Sequence, residues 1–215
     1  MLVGKRMTKD PKRIGPDEPL SRAADILRQF GINHLPVVEE GDRLVGILSD
    51  TDIRNVSITE ENSAIAGGVP PRERKVREVM VEEVWSLTPG DSVEDALLII
   101  QRKKFGALPV LSGDRLVGII TKIDLISAFI DVLDIDDVGL RIEVVLPKSL
   151  ELFEEMLGAV RELGVELRSC LIAPEAKGAG RMVVLLRLDT VNGPMVRGEL
   201  RAKKFEVLDP GADSL

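Results

Sequence analysis

Histidine, cysteine and aromatic side chains are nearly missing from this chain. His34 is the single histidine and Cys170 the single cysteine among 215 residues. One thiol excludes an internal disulfide and a cysteine-rich metal centre. One imidazole removes most histidine-based metal sites. There is no tyrosine, and aromatics make up 3% of the chain, so any core must be built from Val, Leu, Ile and Ala. A basic excess is lacking too: the net charge is −7, and residues 76–138 hold most of the acidic surplus. That balance argues against broad electrostatic binding to nucleic acid or to an anionic membrane surface. The longest apolar runs, 96–100 and 182–186, are far shorter than a membrane span. No basic stretch followed by an apolar one opens the chain, which leads us to expect a cytoplasmic protein.

What is present is enough to fold. Hydrophobic residues make up 44%, and the net charge per residue is modest, which excludes general disorder. The length allows one large domain or two to three small ones.

A repeat organises the first two thirds. Gly41-Asp42-Arg43-Leu44-Val45-Gly46-Ile47 recurs letter for letter as Gly113-Asp114-Arg115-Leu116-Val117-Gly118-Ile119. Upstream, Met7 matches Met80, Pro16 matches Pro89, Ala23 matches Ala96, and Leu35-Pro36-Val37 matches Leu108-Pro109-Val110. Each copy reads alike. A Pro/Asp-rich start opens an amphipathic helix, with Leu20, Ala23, Leu27 and Phe30 on one face, or Val93, Ala96, Leu97 and Ile100. A short strand follows, 35–38 or 108–111, with its proline at the start, where no ladder donor is needed. Gly41-Asp42 and Gly113-Asp114 are hairpin turns into a second strand, 44–48 or 116–120. The chain then enters another helix at Ser49 or Thr121. A unit this small buries little surface alone, so the copies are expected to pack face to face with pseudo-two-fold symmetry. Between them, 55–75 contains Ser63, Gly67, Gly68, Pro70 and Pro71 and reads as a loop with one short helix.

The last third differs. After the acidic linker Asp134-Ile135-Asp136-Asp137, residues 141–146 alternate with Ile142, Val144 and Leu146 on one side. Leu150, Phe153, Leu157, Val160 and Leu163 mark a helix face. Val165, Leu167 and Leu171 suggest one strand, and Met182, Val184, Leu186 and Leu188 another, around a Gly/Ala-rich loop at 174–180. A helix over 194–201 and a strand over 205–208 complete a β-α-β-β-α-β order, the ferredoxin-like split motif. The expected fold class is thus mixed α+β. Its parts are a first repeat at 1–57, a linker at 58–75, a second repeat at 76–133, an acidic linker at 134–138 and a small domain at 139–210.

The residues able to carry chemistry are few. In both copies a strand runs into a helix with a hydroxyl at the junction and Asp three residues on: Ser49 with Asp52, and Thr121 with Asp124. The plain reading is a helix cap. The functional reading uses the same geometry: open N–H groups and a hydroxyl suit a phosphate, and a carboxylate one turn in can accept two hydrogen bonds from a ribose diol.

The Leu-Pro-Val strand, the Gly-Asp-Arg-Leu-Val-Gly-Ile run and the Ser/Thr-x-x-Asp ending, twice in tandem over about 1–133, resemble a pair of CBS domains, the Bateman module. The resemblance implies a regulatory role and binding of AMP, ADP, ATP or S-adenosylmethionine in clefts between the copies. By position, Asp52 and Asp124 would hold ribose hydroxyls, and Ser49 and Thr121 would face phosphate or ribose. Backbone around Lys12-Arg13 and Trp85-Ser86 would line the adenine pocket, with the stretches 32–36 (Ile32, His34, Pro36) and 105–109 (Ala107, Pro109). Many members carry Arg just before the Asp, where this chain has Thr51 or Ile123. Asp50 inside the first motif repels phosphate, whereas Lys122 in the second attracts it, so the second site is expected to prefer phosphorylated ligands. His34 is either an ordinary polar residue at a strand start or a ligand-facing donor in the first cleft. Trp85 is either a stacking platform for adenine or a packing residue. Cys170 is expected to be buried and inert.

The C-terminal third resembles an ACT domain through its element order and Arg141-Ile142-Glu143-Val144-Val145-Leu146-Pro147. Its first strand–helix turn, Pro147-Lys148-Ser149-Leu150, lacks the glycine of amino-acid-binding members, so association with another ACT domain, and hence a homodimer, is the expected use. Tandem CBS followed by ACT is similar to the acetoin-utilisation (AcuB) family, which implies a regulator tied to acetoin or acetyl-CoA metabolism acting on an unknown protein. A ligand-free interaction scaffold is the alternative. An enzyme is not expected: there is no Ser-His-Asp set and no Gly-Lys-Ser/Thr phosphate loop, and Glu154-Glu155 reads as a solvated helix surface. Arg72-Glu73-Arg74-Lys75 is too short and too mixed in sign for DNA.

Overall fold

The computed structural model describes residues 1–61, 73–136, 138–175 and 180–209. Much of the expected inter-repeat linker, including Ser63, Gly67, Gly68, Pro70, Pro71 and Arg72, lies outside them, as do Asp137 and most of the Gly/Ala-rich loop. The chain forms two compact units, Met1–Ile126 and Ser127–Leu215.

The first unit contains the repeat. In chain order its elements are β1 (Thr8–Lys9), α1 (Leu20–Phe30), β2 (His34–Glu39), β3 (Arg43–Ser49), α2 (Asp50–Glu61), α3 (Val93–Lys103), β4 (Ala107–Ser112), β5 (Arg115–Thr121) and the start of α4 (Lys122–Leu133). Strands β2 and β3 form one antiparallel hairpin, and β4 and β5 the other. The hairpins meet at Arg43 opposite Arg115. Helix α2 runs to Glu61, beyond the expected start of the linker. Leu20, Ala23 and Leu27 are buried, as are Val93, Ala96 and Ile100. Phe30 is not part of that face. It is the last residue of α1 and is 46% exposed. Leu97 is likewise exposed.

Pro36 and Pro109 sit third in their strands rather than first. Each lies where its own nitrogen owes no bond, while its carbonyl accepts an N–H from a neighbouring segment: Ile14 to Pro36 at 3.1 Å, and Leu87 to Pro109 at 3.0 Å. A strand proline is tolerated on just such terms.

The copies exchange their leading segments. Val3 N–H donates to Asp91 O and Gly4 N–H to Pro89 O, at 2.8 and 3.0 Å. One repeat later, Val76 N–H donates to Glu18 O and Arg77 N–H to Pro16 O, both at 2.9 Å. Val76 is fully buried in the core of the first copy, with Leu20, Leu27, Leu35 and Leu48. Strand β1 pairs with β5 of the second copy (Thr8 with Ile119, Lys9 with Gly118), and Val81 bridges to Ile47 of the first. Met7 lies against Gly118 and Met80 against Gly46. The expected pseudo-two-fold pairing is therefore reciprocal down to single hydrogen bonds.

The second unit holds β6 (Leu140–Pro147), α5 (Leu150–Glu162), β7 (Leu167–Pro174), β8 (Arg181–Leu188), α6 (Gly193–Ala202) and β9 (Glu206–Val207). The sheet order β7-β8-β6-β9 is antiparallel throughout and is that of the split β-α-β-β-α-β motif. Ile142, Val144 and Leu146 alternate inward and pack with Met182, Val184, Leu186 and Leu188. Ser149 caps α5 and Asn192 caps α6. The buried stripe of α5 is Met156, Ala159 and Val160, with Phe153, Leu157 and Leu163 beside it. Leu150, at the first helical position, is 72% exposed. Cys170 is exposed rather than buried, because β7 is an edge strand and its residues 170–172 are open. Asp134 is more than a solvated linker residue: it bonds Arg168 at 2.5 Å.

Candidate functional site

The strand-to-helix corners repeat with the same geometry. Ser49 Oγ donates to Asp52 Oδ2 at 2.5 Å, Ser49 N–H donates to the same oxygen at 2.8 Å, and Asp52 N–H returns to Ser49 Oγ at 3.2 Å. Thr121 and Asp124 do likewise at 2.8, 2.8 and 3.2 Å. The plain reading is thus satisfied: both motifs cap their helices. Yet every one of these bonds uses Oδ2. Oδ1 of neither carboxylate takes part in these capping bonds. The helix starts are less open than expected. Lys122 N–H donates to Gly106 O, and Asp50 N–H to Asn33 O, both at 3.1 Å.

A cleft of about 750 Å³ opens at the second corner. From the second copy it is lined by Thr121, Lys122, Ile123 and Asp124, with Ile119 and Gly106. The rest comes from the first copy: Lys12 and its neighbours Thr8, Asp10 and Pro11, then 30–34 from Phe30 to His34. Gly31 ends α1 with φ 61°, a conformation that glycine adopts freely, and so turns 32–34 into the cleft. The site is composite, built by pairing β1 with β5. Its size is in the range of small-molecule pockets. Lys12 Nζ stands 4.4 Å above the Phe30 ring at its mouth.

Six of the expected site residues therefore come together here: Lys12, Ile32, His34, Thr121, Lys122 and Asp124. His34, read either as an ordinary polar residue at a strand start or as a donor in the first cleft, lines this cleft, because β2 is brought against the turn before β4. The His34 imidazole fills the space that a Cβ on Gly106 would need. Burial lowers its pKa, Asp52 raises it and Lys122 lowers it further. Arg13 is not among the lining residues and is ion-paired with Asp10 at 2.8 Å and Asp42 at 3.1 Å. Pro36, Ala107 and Pro109 are buried in their strands.

Ser49, Asp52, Trp85 and Ser86 belong to the matching half. Trp85 is 49% exposed, and Lys103 lies over its ring at 4.6 Å. Trp85 matches Lys12 and Lys103 matches Phe30 by repeat position, so the cation and the ring have traded places between halves. Asp50 is ion-paired with Arg54, which moderates its charge.

Thr8, Asp10, Pro11 and Phe30 were not among the expected site residues, and Phe30 was counted as core by its spacing. Gly106 lies inside the expected stretch 105–109, and a glycine just before a buried strand marks close approach by another group. Among the described residues no helix is long and apolar enough to cross a membrane.

A family model for the CBS domain matches residues 3–58 and 76–131. Among solved structures, a protein assigned to acetoin utilization (AcuB) from Vibrio cholerae matches with TM-score 0.54 and 30% identity, over 63% of this chain and 94% of that one. CBSX2 in complex with AMP matches with TM-score 0.53 and 25% identity, over 60% and 96%. The CBS domain pair of MJ0100, in complex with 5′-methylthioadenosine and S-adenosyl-L-methionine, matches with TM-score 0.52 and 26% identity, over 60% and 95%.

Proposed function

Since the chain belongs to the CBS domain family, we propose that its paired repeats are a regulatory sensor of an adenosine ligand: AMP, ADP, ATP or S-adenosylmethionine. The observation that carries this reading is the composite cleft, which Thr121, Lys122 and Asp124 line together. Asp124 takes the ribose diol, and Lys122 attracts phosphate. Lys12 and Phe30 close over the base. The AMP in CBSX2 and the S-adenosylmethionine in MJ0100 support the ligand class.

In this reading the protein is regulatory rather than catalytic. Ligand shifts the two copies relative to each other, because it favours one arrangement over another. The change passes to a partner protein or within a homodimer held by the ACT-like third, at 139–210. The Vibrio cholerae neighbour supports a role near acetoin metabolism. Thermal shift with AMP, ADP, ATP, adenosine and S-adenosylmethionine tests the core claim. A ligand at a hundred times its Kd stabilises by about 2.7 kcal/mol. No shift with any of them at millimolar concentration sinks it.

A second reading is favoured by one observation. The Ser/Thr-x-x-Asp motifs are complete helix caps without any ligand. A ligand-free scaffold for protein association needs nothing more from them.

A further inference from the structure

We propose that the His34 imidazole takes up a proton when an anionic ligand enters the Thr121–Asp124 cleft, so that this cleft senses ligand charge through a side chain lent by the other repeat. The inference rests on the reading that the cleft binds an adenosine ligand, and it adds the residue that sets its charge preference.

The geometry is specific to one half. His34 opens β2 opposite Ser49, and its ring packs on Gly106 where a Cβ would overlap it. The repeat positions matching His34 and Gly106 are Ala107 and Asn33, so the ring-on-glycine pair occurs once. The imidazole lines the same cleft as Lys122. Asp52 from α2 and Lys122 from α4 act on the ring by charge, and the other charged groups lining the cleft are Asp124 from α4 and Asp10 and Lys12 from the segment around β1. Burial and Lys122 both disfavour the imidazolium, so the free protein holds the ring neutral near pH 7. A phosphate beside Lys122 cancels that cation's repulsion and adds an attraction of its own. The ring then gains a proton, and anion affinity rises as pH falls. A neutral adenosine changes neither interaction.

His34 is the chain's single histidine, so its ring proton resonance is unambiguous. The test follows that resonance against pH by NMR, in the free protein and with saturating AMP or adenosine, and binding is confirmed by calorimetry. The midpoint is expected to move to higher pH with AMP and to stay put with adenosine. At pH 5.5, His34→Gln and Gly106→Ala, which displaces the ring, are each expected to lower the ratio of AMP to adenosine affinity about three- to tenfold relative to the natural chain. The phosphate's own ionisation near pH 6 is common to all three proteins and drops out. AMP that binds without moving the midpoint, or an affinity ratio equal to that of the natural chain in both variants, overturns the inference and leaves the sensor reading intact. Failure of both ligands to bind overturns the sensor reading, and this inference with it.

Discussion

Met7 rests directly on Gly118, in the volume that a β-carbon there would claim. Met80 rests on Gly46 in the same way. A flexible thioether fills the gap left by each missing side chain, and each contact locks the leading segment of one copy onto a strand of the other.

Gly118→Ala should therefore cost stability. The added methyl meets not only Met7 but also Thr8 O, 3.1 Å away in the backbone that pairs with β5. We expect a loss of about 1–3 kcal/mol, as in other overpacked sites. Urea melts should show a lower midpoint at unchanged slope. A change under about 0.5 kcal/mol would show that the segment yields freely.

Asp124→Ala should weaken AMP and adenosine alike, by about tenfold or more, because hydrogen bonds to a charged group contribute about 1.5–3 kcal/mol. Lys122→Ala should weaken AMP by about fivefold and leave adenosine unchanged. Asp52→Ala should affect AMP less than Asp124→Ala does. Calorimetry on the three variants decides, and equal AMP losses at Asp52 and Asp124 would refute the charge-based difference between the halves. The helix caps are tested separately: without ligand, each Asp→Ala change should lower stability by about 0.5–2 kcal/mol.

The pH dependence of folding carries a signature of His34. Its folded pKa lies below the ordinary imidazole value of about 6.5, chiefly through burial. The unfolded chain therefore binds more protons, and stability rises with pH through this window. The contribution is complete above about pH 6.5 and is lost as pH falls toward the lowered folded value. The natural chain should lose stability between pH 7 and pH 5 more steeply than His34→Gln does. Parallel curves would place the imidazole in an open, water-like setting.

Cys170 should react with a thiol reagent in the native state, since it is exposed on the edge strand β7. Partial desolvation raises its pKa, so labelling at pH 8 should be slower than for the unfolded chain. Complete protection from labelling would mean that β7 is covered in solution.

Local pattern made the elements readable. The Pro/Asp-rich stretches 16–19 and 89–92 announced two helix starts, and the period-two run at 182–188 announced a strand. The repeated Ser/Thr-x-x-Asp corners were legible because they recur after an identical heptapeptide. The composition of the cleft was not. Residues 8–12 reach it only through pairing with a strand more than a hundred positions later, and no local periodicity encodes such a partner. Both alternatives for His34, a plain polar residue or a donor in the first cleft, passed over its place beside Gly106 for the same reason. Phe30 obeyed the helical period of a core residue but lies at the helix end, where the buried stripe has run out. Cys170 followed an alternating strand whose outer flank has no neighbour.

Val76 completes the hydrophobic interior of the half that precedes it, and Val3 donates its amide to the half that follows. Neither half can be finished by its own amino acids. A polypeptide holding one copy has to borrow the lost arm from a sister molecule. Cutting this chain between the repeats is therefore expected to leave each repeat with an unfilled edge that a second molecule can complete.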